Sequence, residues 1–138
     1  MARPFNPEAL APYALPQMRP PMGIGAVVWR YTVLVPFEEV RAAQSPTVLV
    51  TDDDLERISE MLCNHFGGVT ILPPLKGWGL RDPADPTTIE FNTSVPHVVY
   101  AQAIKASDEY FIQLQQELQA CLDQGVILVE RQEVFLVG

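Results

Sequence analysis

The chain is poor in cysteine, histidine and basic charge. Its two cysteines, Cys63 and Cys121, form no CxxC pair and no zinc-like spacing. Each falls inside an expected helix, which reads as reduced, packed thiols rather than a disulfide framework. The nine Lys and Arg residues are scattered from Arg3 to Arg131 and face 17 acidic ones, for a net charge of −8. Phosphate backbones need clustered cations, so the composition argues against a nucleic-acid partner, and against anionic membranes on the same ground. Long apolar runs are also lacking. Met22 to Phe37 contains Arg30 and falls short of the ~20 residues of a membrane span. Residues 1–22 have no apolar leader core, so the expectation is a cytoplasmic protein without a membrane partner. GxGxxG, P-loop, GxSxG and HExxH motifs are missing too. Gly67-Gly68 follows a helix and acts as a stop, not a phosphate cradle. No cofactor, no metal and no catalytic constellation are expected.

What the chain has in plenty is proline, 13 in 138 residues. Six of them (Pro4, Pro7, Pro12, Pro16, Pro20 and Pro21) crowd residues 1–22, where neither a regular helix nor a central strand can form. This arm also carries Phe5, Leu10, Tyr13, Leu15 and Met18, a composition suited to lying extended along a groove. Residues 23–138 then form a single domain, long enough to close its own core.

The plainest element is a helix over 51–66. Thr51 or Asp52 caps it, Asp52, Asp53 and Asp54 complement its dipole, and Gly67 ends it. The acidic triplet invites a metal reading, but three neighbours at a helix start diverge, and capping accounts for them. Leu55, Ile58, Met61, Leu62, His65 and Phe66 make its apolar stripe. A second helix spans 108–123 with Tyr110, Phe111, Leu114, Leu118, Cys121 and Leu122 inward. Strands are predicted at 23–37 (ended by Pro36), 69–72, 98–104 and 126–137, with a shorter one at 87–91. Glu38 to Ser45 reads as a helical turn and Thr47 to Val50 as a brief extended piece.

The cap-to-strand spacing repeats: Thr51 to Gly68 in one half and Ser107 to Gly125 in the other. The plan resembles a ferredoxin-like split β-α-β-β-α-β domain. That resemblance implies a four-stranded antiparallel sheet with two helices on one face, plus the proline-rich arm. A fold of this kind does not supply a function.

Four residues stand out as ligand-binding candidates. Lys76, Trp78 and Arg81 share the segment KGWGLR, where glycines on both sides of the indole permit close approach. His97 opens a strand and titrates near neutral pH. Together they suggest a pocket near residues 76–97 for an anionic ligand, in a binding domain or small enzyme. The leading expectation is different: a non-enzymatic assembly module, working through a homo-oligomer or a protein partner, by way of the arm and the edge of the long last strand.

Overall fold

A computed structural model describes residues 3–21, 25–41, 47–80, 84–87, 89–122 and 127–137, with the backbone alone at 40, 41 and 80. The protein is a mixed α+β structure built on one curled antiparallel sheet. Its strands are β1 (Val27–Arg41), β2 (Thr47–Val48), β3 (Thr70–Ile71), β4 (Leu75–Leu80), β5 (Ile89–Gln102) and β6 (Val129–Phe135). Its helices are α1 (Asp52–Phe66) and α2 (Lys105–Leu122), preceded by short 3-10 helices at Pro7–Tyr13 and Pro16–Met18.

The sheet has six strands where the ferredoxin-like resemblance implies four, because the long β1 and β5 extend far enough to pair with two further strands, β2 and β4. β1 and β5 each run through a proline expected to bound the strand. β1 passes Pro36 and reaches Arg41, so Glu38 to Arg41 is strand rather than helical turn; the rest of that turn lies outside the described residues. β5 fuses the expected 87–91 and 98–104 pieces through Pro96. The two pair from Val28↔Gln102 to Arg41↔Glu90, with one register shift between Pro36 and Glu38. That shift leaves Phe37 as a bulge, which bends and twists the strand.

Each proline sits where a neighbouring strand has ended, so the N–H it lacks interrupts no strand pairing among the described residues. In an antiparallel ladder a residue's N–H and C=O point to the same side. Leu34 N donates to Leu128 O, so Leu34 and Pro36 both face the β6 side of β1. β6 pairs only as far as Val33, and β2 begins opposite Glu38. Across the sheet, Pro96 O accepts from Leu72 N, so Pro96 faces the β3–β4 side. There β3 ends at Ile71 and β4 begins at Leu75, with Pro73-Pro74 between. The prolines therefore mark a seam. On one side lies a body, β6-β1-β5-β3; on the other, an extension, β2-β1-β5-β4.

The helices pack on the body. Thr51 Oγ1 accepts from Asp54 N at 3.2 Å, and Gly67 closes α1 at φ +90°, its N–H donating to Cys63 O. Asp54 is buried and accepts from Phe5 N and Thr51 Oγ1. Among the described residues no three His, Cys, Asp or Glu are grouped to hold a metal. α2 begins at Lys105, ahead of the expected start, and Ser107 already lies inside it, donating to Gln102 O at 2.7 Å. Tyr31, Val33, Val35, Val99 and Ala101 of the sheet meet Ile58, Leu62 and Phe66 of α1 and the apolar face of α2. Tyr31 stacks on Phe111 at 3.9 Å.

The N-terminal arm docks on this layer. Phe5, Leu10 and Met18 are fully buried in the same core. Arg3 grips Glu117 of α2 through two bonds of 2.7 and 2.5 Å, and Asn6 N donates to the same carboxylate. Burial alone would raise the Glu117 pKa; the Arg3 guanidinium and the Asn6 amide outweigh it and hold the carboxyl below its ordinary value. Arg19 donates to Asn64 O and His65 O, two carbonyls at the negative end of α1.

Candidate functional site

Lys76 and Trp78 lie on β4, opposite Thr93 and Phe91 of β5. The Trp78 and Phe91 rings are 4.9 Å apart, and Lys76 Nζ sits 5.7 Å from the Phe91 centroid. No described helix covers this group: Trp78 is 78% exposed. Around it along the same margin, Ile71, Leu72, Leu75 and Ile89 are exposed as well.

His97 is elsewhere. By the β5 register it lies six residues beyond Phe91, about 20 Å along the strand. Its side chain is fully buried in the body. Nδ1 donates to Val95 O at 2.9 Å. Nε2 lies 3.4 Å from Ser59 Oγ, whose proton is engaged with Leu55 O. Burial lowers the His97 pKa against the smaller opposing pull of the Val95 carbonyl. The result is a neutral core imidazole with no contact to solvent, and it shares no concave surface with Trp78. Arg81 lies outside the described residues. Of the four candidates, the structure thus brings together Lys76 and Trp78 and separates His97 from them.

The glycines beside Trp78 are not required by the fold. Neither has a positive φ. A Cβ on Gly79 would meet nothing within 4 Å, and one on Gly77 only Asn92 O at 4.0 Å. Their effect is to leave one face of β4 bare beside a single exposed indole. Among the described residues, β4 pairs with β5 on one side and with no strand on the other. The only charged residue in the segment Leu75–Leu80 is Lys76.

The last strand is a poorer edge than its sequence suggests. β6 is assigned over Val129–Phe135, within the predicted 126–137, and Glu130, Arg131, Gln132 and Glu133 are all exposed on it. Charges along an edge discourage pairing. Arg131 also helps hold the fold together. Its Nη1 contacts Asp108 Oδ2 at 2.5 Å, and its guanidinium lies 3.9 Å from the Trp29 ring centroid. Tyr31 Oη donates to Asp108 Oδ1 at 2.6 Å; burial and then this carboxylate raise the phenol's pKa. This latch between β6, β1 and α2 is not readable from spacing, since its four members come from three elements. Phe91 is readable as a strand residue but carries no sign of its partner Trp78.

No described helix is long and apolar enough to cross a membrane. No family model, curated protein or solved structure matches the chain.

Proposed function

We propose that this protein is a non-enzymatic assembly module that self-associates through the outer edge of β4. The observation that carries this reading is Trp78: a large indole, 78% exposed, on a strand with no second partner among the described residues. An unpaired edge is a template for another strand, and a rim of apolar side chains supplies the contact area. Leu75, Ile71, Leu72 and Ile89 form that rim. The glycines at 77 and 79 leave room for an incoming backbone. Two copies of β4 running antiparallel about a two-fold axis would present the same patch to each other. The single charge in the segment, Lys76, spares this edge the acidic repulsion expected from the rest of the chain.

A ferredoxin-like core belongs to the same proposal. The body has the spatial order β6-β1-β5-β3, with α1 and α2 in the two crossovers. The extension would then be an addition that carries the assembly edge away from the helices.

The test is light scattering after size exclusion, on the full chain and on Trp78→Glu, across a range of protein concentrations. The expected result is a dimer that becomes a monomer in the variant, which keeps the parent's circular dichroism spectrum because Trp78 is so exposed, and which melts no higher than the dimer because association stabilises the folded state. A wild-type chain that stays monomeric at the highest concentration defeats the proposal.

A further inference from the structure

The outer edge of β4 carries a fixed pattern of free backbone groups. Pro96 of β5 faces the β3–β4 side, its carbonyl accepting from Leu72 N. Facing alternates along an antiparallel strand, so Ser94, Asn92 and Glu90 face that side too. They stand opposite Leu75, Gly77 and Gly79. Those three therefore direct their N–H and C=O groups at β5. Lys76, Trp78 and Leu80 turn theirs outward, where no described strand meets them. The side chains of Lys76 and Trp78 share one face of the strand, and the two glycines leave the other face bare.

A second copy of β4 matches this pattern in one register. About a two-fold axis normal to the sheet, the strands run antiparallel and one residue pairs with itself. With Trp78 at the centre, Lys76 meets the partner's Leu80, and Gly77 meets the partner's Gly79. Every outward N–H and C=O from 76 to 80 then finds a complement. The neighbouring centres fail. Centring on Gly77 sets Leu80 against the partner's Pro74, which has no N–H to give. Centring on Lys76 puts like charges directly opposite each other and Trp78 against the partner's Pro74. Centring on Gly79 carries Lys76 past the end of the partner's β4.

We infer, resting on the assembly proposed above, that two copies join β4 to β4 in the register centred on Trp78. Within one copy the Trp78 and Phe91 rings are already 4.9 Å apart. The pairing extends them into one aromatic row across the axis, and cross-strand aromatic pairs stabilise a sheet. Gly77 and the partner's Gly79 form a non-hydrogen-bonded pair, where Cα atoms approach to about 4.5 Å. A glycine inside a strand marks such a close approach, a role that neither glycine has within one copy. Lys76 lies about 13 Å along the strand from the partner's Lys76, so the two cations sit well apart.

An equal mixture of isotope-labelled and unlabelled full chains tests the register by isotope-filtered NOEs. The expected result is an interchain cross-peak between Gly77 Hα and Gly79 Hα, which face each other only in this register. Lys76→Pro supplies a second measurement. It removes one outward N–H while leaving Trp78 and the β5 ladder in place. By light scattering it should dimerise about tenfold or more weakly, with the parent's circular dichroism spectrum. A dimer without the Gly77–Gly79 contact, or with a Leu75–Gly79 contact in its place, overturns the register and leaves assembly through β4 standing. A folded Lys76→Pro variant that dimerises as tightly as the parent overturns it as well, since side chains alone would then suffice. A parent chain that stays monomeric at the highest concentration defeats the assembly itself, and the register with it.

Discussion

At the scale of single residues, His97 shows how burial turns a reactive side chain into a structural one. Its folded pKa lies below the ordinary 6.5 because the interior disfavours the imidazolium. Between those two values the unfolded chain binds the extra proton. The stability that His97 confers is therefore complete above pH 6.5 and is lost as the pH falls towards the folded value. His65 is shifted in the same direction, by burial first and the nearby Arg19 second. Melting temperatures should accordingly drop between pH 7 and pH 5. His97→Gln should melt lower at pH 7 and lose part of that slope, as followed by circular dichroism. A variant with an unchanged slope would show that His97 does not titrate in this window.

At the scale of elements, the ends of helices are the most legible features, because caps are local chemistry. Thr51 and Gly67 act as their residue types predict, and Gly67→Ala isolates the second. A Cβ there meets no neighbour, so the cost comes from the left-handed backbone alone, about 1 kcal/mol in chemical denaturation. A loss near zero would mean that the cap relaxes. Ser107 misleads for an equally local reason: Ser-Asp-Glu resembles a helix start, but the hydroxyl reaches back to Gln102 O from within α2. The prolines mislead more. Pro36 and Pro96 end strands if read alone, and they are accommodated only because neighbouring strands stop beside them. That information sits in β6, β2 and Pro73-Pro74, far away along the chain. The candidate site is half legible: Lys76 and Trp78 share a strand face, as their two-residue spacing requires. His97 is not, because a histidine after Val-Pro looks like a loop end until Pro96 is known to lie inside β5.

At the scale of the whole molecule, the arm is part of the core. Phe5, Leu10 and Met18 are as buried as the apolar face of α2. At about 2 kcal/mol for each such side chain, a chain beginning at residue 23 should lose about 6 kcal/mol, an upper estimate. That is a large share of the roughly 5–15 kcal/mol that holds a domain together. Urea unfolding of the two lengths measures it, and equal midpoints would show the arm to be dispensable. The proline seam has a different consequence, in time rather than in space. Where β1 and β5 cross it, the described flanking strands stop on both sides, so cooperativity is expected to be weakest there. Hydrogen–deuterium exchange should then sort one continuous pair of strands into two kinetic populations. Amides from 28–33 and 97–102 should exchange slowly, by global opening, and those from 38–41 and 89–93 faster, by a local one. Uniform rates along β5 would mean that the sheet opens as one unit. Two populations would make the extension, with Trp78 on it, a separate foldon that breathes while the helix-backed body stays closed.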